Sequence, residues 1–167
     1  MKGLSTEQYR KELELKQALR SLVRFSRIDE YDPYPYQQKF HQTGAEANQR
    51  LLMAANRIGK SFSGAAEMSY HLTGLYPDWW EGRRYDKPIT AWAGGVSNET
   101  TRDIVQYELL GSPDDPDAFG SGAIPKSKII KTERKPGVPN AKSVALIQHV
   151  TGGNSSLHFK AYDMGVD

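Results

Sequence analysis

The sequence contains no cysteine, which excludes a disulfide framework, a thiolate zinc site and a cysteine nucleophile. Long apolar runs are missing too. The longest, Leu51 to Ala55, has five residues, far below the roughly 20 that a membrane-spanning helix needs. Charge of one sign is not in excess: 22 Lys and Arg stand against 20 Asp and Glu, a net charge of +2. Any surface for a polyanion must therefore be a local patch. The opening residues 1–27 are charged throughout, so no secretory leader is predicted, and the sequons at Asn98 and Asn154 are expected to be idle. His41, His71, His149 and His158 show no H-x-x-x-H or other ligand spacing, and no metal is assigned to them. These absences predict a soluble intracellular protein. What remains, 167 residues with 38% hydrophobic and 25% charged, suits one globular domain.

The chain divides into an arm, residues 1–30, and a body, residues 31–167. Ser5 with Gln8 three residues later forms a capping box, and Leu4 and Tyr9 are placed for a hydrophobic staple. Tyr9, Leu13, Leu19, Leu22 and Val23 then recur near a 3.6 period. This predicts an amphipathic helix packed on the body, or alternatively contacting a neighbouring subunit. Pro33 and Pro35 close that helix and bracket the aromatic cluster Tyr31, Tyr34 and Tyr36. The continuous run Leu51–Ala55 predicts a strand buried on both faces of a parallel sheet. A helix follows over Lys60–Leu72, with Phe62, Ala65, Ala66, Ser69 and Leu72 on one stripe. Tyr76–Lys87 is a loop in which Trp79 and Trp80 serve packing. Ile89–Ala93 predicts a second buried strand, stopped by Gly94-Gly95. Ser97 is placed to cap a helix through Leu110 with Ile104, Val105 and Leu109 inward. A long loop follows, and Val144–Val150 with Ser155–Tyr162 predict a β-hairpin. There are no internal repeats.

The chemistry concentrates where strand, turn and helix meet, at Ala54-Ala55-Asn56-Arg57-Ile58-Gly59-Lys60-Ser61. The tail is the Gly-Lys-Ser of a phosphate-binding loop, G-x-x-x-x-G-K-[ST], with Ala54 in place of the first glycine. Consecutive loop amides and those opening the helix form an anion nest. Gly59 lets the backbone wrap close to a phosphate oxygen. Lys60 can bridge β- and γ-phosphates and follow the charge to the leaving group, and the Ser61 hydroxyl is placed to ligate Mg²⁺. Gln37, 23 residues before Lys60, carries a carboxamide able to read the N6/N7 edge of adenine, with a neighbouring tyrosine to stack on the base. Lys126, Lys128, Lys131, Arg134 and Lys135 make a basic stretch that could track DNA phosphates as a loop, or simply be solvated. Hydrolysis also needs an apolar strand ending in Asp and then Glu. The sequence offers only Asp29-Glu30 upstream, in charged surroundings, and Tyr162-Asp163 near its end. Nucleotide binding is predicted, and hydrolysis by these 167 residues alone is not.

Pro33–Phe40 (PYPYQQKF), Met53–Pro77 (MAANRIGKSFSGAAEMSYHLTGLYP) and Ala91–Thr101 (AWAGGVSNETT) resemble the large terminase subunit of headful-packaging short-tailed phages. Looser similarity runs from Gly120–Ile130 to His158–Gly165. The resemblance implies the front part of an ATPase domain of a motor that pumps double-stranded DNA into procapsids. The implied fold is α/β, a P-loop NTPase of the ASCE type: a mostly parallel sheet flanked by helices, incomplete in this chain. ATP and Mg²⁺ are the implied cofactors. Gln37 and Ala54, Ala55, Asn56, Arg57, Ile58, Gly59, Lys60 and Ser61 are the implied nucleotide-binding residues, with Lys60 catalytic and Ser61 on the metal. Implied partners are DNA, the portal protein, the small terminase subunit and further copies in a homo-oligomeric ring. The implied place is the host cytoplasm at the portal vertex during packaging, outside the mature virion. In the family, the acidic pair follows soon after the segment similar to His158–Gly165, and a nuclease domain comes later. The alternative is an inactive terminase remnant acting by binding. An unrelated P-loop nucleotide kinase fits less well, because the similarity extends beyond the loop.

Overall fold

The computed structural model describes residues 6–162. The predicted Ser5 cap, the Leu4 staple, the Leu22 and Val23 side chains and Asp163 lie outside the described residues.

Helix α1 (Thr6–Phe25) forms where the 3.6 period predicts one, but residues 7–21 are exposed along their whole length. Residues 7–21 are therefore not packed on the body. The C-terminal end holds the arm: Arg24 pairs with Asp115 at 3.3 Å, and the Lys126 ammonium lies 4.3 Å from the Phe25 ring centroid. A 3₁₀ turn, Arg27–Glu30, buries Ile28 and ends the arm before either proline. Helix α2 (Pro35–Thr43) starts with proline at its first turn, where the missing N–H costs nothing.

Helix α3 (Lys60–Thr73) carries the predicted stripe inward: Ala65, Ala66, Ser69 and Leu72 are buried and Phe62 packs on the core. It also buries Ser63, Glu67, Tyr70 and Thr73. A left-handed Gly74 (φ 75°) closes it, as at many helix ends. Trp80 is buried and Trp79 packs on the core, as expected of this loop.

The sheet holds β1 (Thr90–Gly95), β2 (Ile129–Arg134), β3 (Lys142–Gln148) and β4 (Asn154–Ala161) in the order β1-β4-β3-β2. The predicted hairpin is the β3–β4 pair, joined by a short turn. The expectation of a mostly parallel sheet is corrected. Only β1–β4 is parallel, whereas β2–β3 and β3–β4 are antiparallel. Short connections between consecutive strands permit only antiparallel pairing, and the one long crossover supplies the parallel pair. Two strand expectations change with it. Leu51–Ala55 forms no strand and joins none of this sheet, and Leu51 and Met53 are each 80% exposed. β1 is an edge strand that includes Gly94 and Gly95; Ala93 is buried while Trp92 is 71% exposed. A run without alternation matches a doubly buried strand only when neighbours cover both its faces. The basic stretch is likewise not a loop, because most of it forms the outer strand β2.

Ser97 caps the next helix as predicted, its Oγ accepting from Thr100 N at 3.1 Å. That helix, residues 98–110, has wide turns over Thr101–Gln106. There the buried Thr101 hydroxyl donates to the Ser97 and Lys160 carbonyls at 2.7 and 3.0 Å, a side chain competing with the backbone ladder. The changed phase leaves Ile104 at 49% exposure while Leu109 is buried. α3 packs on β3 and β4 and against the end of this helix. Between them lies the core of Ala66, Leu72, Leu110, Ile147, Leu157 and Phe159.

Candidate nucleotide-binding site

The Ala54–Ser61 stretch enters α3 through two left-handed residues, Arg57 (φ 63°) and Gly59 (φ 79°). Such a conformation is routine for glycine and uncommon for arginine. A Cβ on Gly59 would also lie 3.0 Å from Gln37 Nε2. Lys60 is the first residue of α3, and no acidic residue stands in that first turn. The Lys60 ammonium donates to the Ala54 and Ala55 carbonyls at 2.7 and 2.5 Å. The loop thus curls around its own cation. Ser61 is exposed and, with Gly64, Ala93, Gly94 and Glu108, lines a cavity of about 260 Å³ between α3, β1 and the 98–110 helix.

The donor set fits a phosphate group. Amides of a first helical turn, which have no intrahelical acceptor, an ammonium that two carbonyls hold among the described residues and an exposed hydroxyl are all donors, and the helix dipole adds positive potential. A triphosphate would compete with two carbonyls for Lys60. A magnesium ion would find the Ser61 oxygen at the same helix start.

Gln37 is brought to this loop, but it is 2% exposed. Its Oε1 accepts from Tyr34 N at 2.9 Å, and its Nε2 donates to the Ile58 and Gly59 carbonyls at 3.3 and 3.4 Å. Tyr36 Oη donates to Ile58 O at 2.5 Å, and the Tyr34 and Tyr36 rings stack with centroids 5.9 Å apart. Asp29 lines a different cavity with Tyr31, Tyr70 and Trp79, to which no loop residue contributes. The basic residues of β2 lie on the outer strand and line none of the Ser61 cavity.

The sequence reading missed one polar cluster beside the loop. Glu67, two helical turns after Lys60, is 7% exposed. It accepts from His41 Nδ1 at 2.7 Å, from two nitrogens of Arg50, one of them at 3.2 Å, and faces His71 Nε2 at 3.4 Å. Tyr31 donates to Ser63, which reaches His41 Nε2 at 3.2 Å. Burial pushes the Glu67 carboxyl up, but His41, His71 and Arg50 outweigh it and hold it well below the usual carboxylate range. Arg50 also donates to Phe40 O at 2.7 Å and lies over the Phe40 ring at 4.5 Å. This fixes the chain just before the loop. The available signal was a lone Glu within the apolar stripe of α3, a charge that needs partners when buried.

Fold and site together define a mixed α/β domain whose lysine-bearing glycine turn opens a helix onto the sheet. The family model of the terminase large subunit, T4likevirus-type, N-terminal, matches residues 51–166. The large terminase subunit of Salmonella phage P22 is 35% identical over 98% of this chain and 36% of its own length. No solved structure gives a significant match. The chain belongs to the terminase large subunit family, and it spans about a third of the length of the curated relative that it matches. Among the described residues no helix is long and apolar enough to cross a membrane.

Proposed function

We propose that this chain is the ATP-binding part of a large terminase subunit that, at full length, hydrolyses ATP to translocate double-stranded viral DNA into a procapsid. One observation carries the reading. In a chain of this family, Lys60 opens a helix behind a left-handed glycine, and its partners among the described residues are two loop carbonyls.

In this reading the amides of Asn56 to Ser61 orient the triphosphate, and Lys60 gives up its two carbonyls for phosphate oxygens. Its mobile charge then follows negative charge toward the leaving oxygen. Ser61 holds Mg²⁺, which when bound spreads and neutralises phosphate charge. The acidic pair that positions the attacking water is supplied by sequence outside the described residues. Partners in the same reading are duplex DNA, the portal protein, the small subunit and other copies in a ring. The site of action is the portal vertex in the host cytoplasm.

The test is MgATP titration of the wild-type chain and Lys60→Ala by calorimetry. Losing a charged donor to phosphate is worth about 1.5–3 kcal/mol, a roughly 10- to 150-fold weaker Kd. Equal affinity in the two proteins would overturn the assignment.

A further inference from the structure

A second cavity, of about 300 Å³, lies where the 3₁₀ turn Arg27–Glu30 meets the C-terminal half of α3 and the loop that follows it. That volume is at the small end of ligand sites, which run from about 300 to 1,000 Å³. The hydrogen bonds of its polar side chains can be followed one by one. The Tyr31 hydroxyl donates to Ser63 Oγ at 3.1 Å, and Tyr76 Oη accepts from Tyr85 N at 2.8 Å. Ser69 Oγ donates to the Ala123 carbonyl at 2.8 Å, and Thr73 Oγ1 to the Ser69 carbonyl at 2.7 Å. Two groups are left over. Among the described residues, neither the Tyr70 hydroxyl nor the Asp29 carboxylate has a hydrogen-bond or ion-pair partner. Tyr70 is only 4% exposed, and a tyrosine hydroxyl buried to that degree usually finds a partner. Asp29 is exposed and so stands at the mouth.

The walls are aromatic and set at angles to one another. Tyr70 and Trp79 have centroids 6.1 Å apart and planes at 79°, and Tyr31 and Trp79 are 6.2 Å apart at 60°. Rings crossed in this way form no parallel slot for a flat ligand, but they can enclose a compact one. The charge has one sign, because no Lys, Arg or His lines the cavity and Asp29 does. Burial, then Tyr31 and Asp29, push the Tyr70 phenol up, so it stays a neutral hydroxyl whose oxygen can accept. An anion would be repelled at the mouth by Asp29. A ligand that donates to both open groups, carries positive charge and brings an apolar stem is an alkylammonium, which aromatic rings also attract.

We propose that this cavity binds a primary alkylammonium group, its nitrogen donating to the Asp29 carboxylate and the Tyr70 oxygen and its carbon stem lying against Tyr31, Tyr70 and Trp79. Such a group is carried by a free amine or by a lysine side chain of a partner protein. The cavity shares no lining residue with the one at Ser61, so the proposal does not depend on the nucleotide reading.

The test titrates butylammonium into the wild-type chain, Tyr70→Phe and Asp29→Asn, following the Trp79 indole N–H resonance. Butanol is the neutral control and butyrate the anionic one. Both substitutions remove groups without a partner among the described residues, so the thermal melts should match wild type. Saturable binding of butylammonium is expected with a Kd of about 1 mM, within reach of a ligand of so few atoms. Butanol should bind about tenfold more weakly and butyrate not at all. Asp29→Asn should weaken butylammonium about tenfold and Tyr70→Phe about threefold. Added salt should weaken it too, because the carboxylate is exposed. Butanol matching butylammonium, either variant matching wild type, or the absence of saturation overturns the proposal.

A competition between diaminobutane and N-acetyl-lysine methylamide then identifies the source of the ammonium. Tighter binding of the diamine supports a free amine as occupant, and tighter binding of the lysine derivative supports a partner side chain.

Discussion

Glu67→Gln tests whether the buried carboxylate holds α2, α3 and the segment entering the loop together. In the wild-type protein an ionised Glu67 can only accept, and it faces His41, His71 and Arg50. A glutamine keeps the volume but offers one acceptor oxygen, and its NH₂ group confronts at least one donor. The side chain of His41 is 1% exposed while that of Arg50 is 21% exposed. Arg50 can regain water, but His41 cannot. Removing one partner of a buried pair costs about 3–5 kcal/mol, and a buried donor left unsatisfied costs about 1–3 kcal/mol. With the glutamine oxygen recovering one bond, a loss of about 3 kcal/mol is expected, a large share of the roughly 5–15 kcal/mol of a typical domain. Urea unfolding followed by tryptophan fluorescence reads it, because Trp80 packs 5.0 Å from His41, centroid to centroid.

The folded pKa of Glu67 is depressed, burial being outweighed by the three basic partners. Its stabilisation is therefore fully present above the unfolded carboxylate pKa of about 4.3. It fades as the pH falls below that value toward the lower folded pKa. Wild type should lose this increment between about pH 4 and stronger acid, whereas Glu67→Gln should lack it at every pH. A variant whose urea midpoint at pH 7 matches wild type, or whose deficit persists unchanged in strong acid, would refute the reasoning.

Two further substitutions address the loop and the core. Gly59→Ala forces a left-handed residue with a Cβ 3.0 Å from Gln37 Nε2, so a loss of about 1–2 kcal/mol is expected from thermal melts, together with weaker MgATP binding. Leu157→Ala empties a fully buried site in the middle of β4, for about 2–5 kcal/mol in urea midpoints, and a change under 1 kcal/mol would contradict the packing.

Much of this protein was readable locally. The helix at Lys60, the Ser97 cap, the β3–β4 hairpin and the turn at Gly59 each follow from a residue pattern confined to one or two turns of chain. The family resemblance rested on the same continuous stretches, and the family match supports it. The arm illustrates the limit of such reading: its period predicts an apolar face, but nothing within twenty residues says what that face meets. Leu51–Ala55 and β1 show the same limit from the sheet, since apolar composition specifies a burial preference and not the neighbour that satisfies it.

Gln37 and Glu67 mark the boundary most clearly. Spacing and the family resemblance put a carboxamide near the loop, and the carboxylate two turns along α3 went unmarked. Their partners come from segments many residues away in the chain. Side-chain chemistry and local backbone preference act over a few residues, so the sequence by itself determined the helix, the left-handed turn and the lysine at their junction. Which carbonyl Gln37 holds, which bases surround Glu67 and which strand lies beside β1 were decided only by tertiary packing, because hydrogen bonds and burial depend on distance in space.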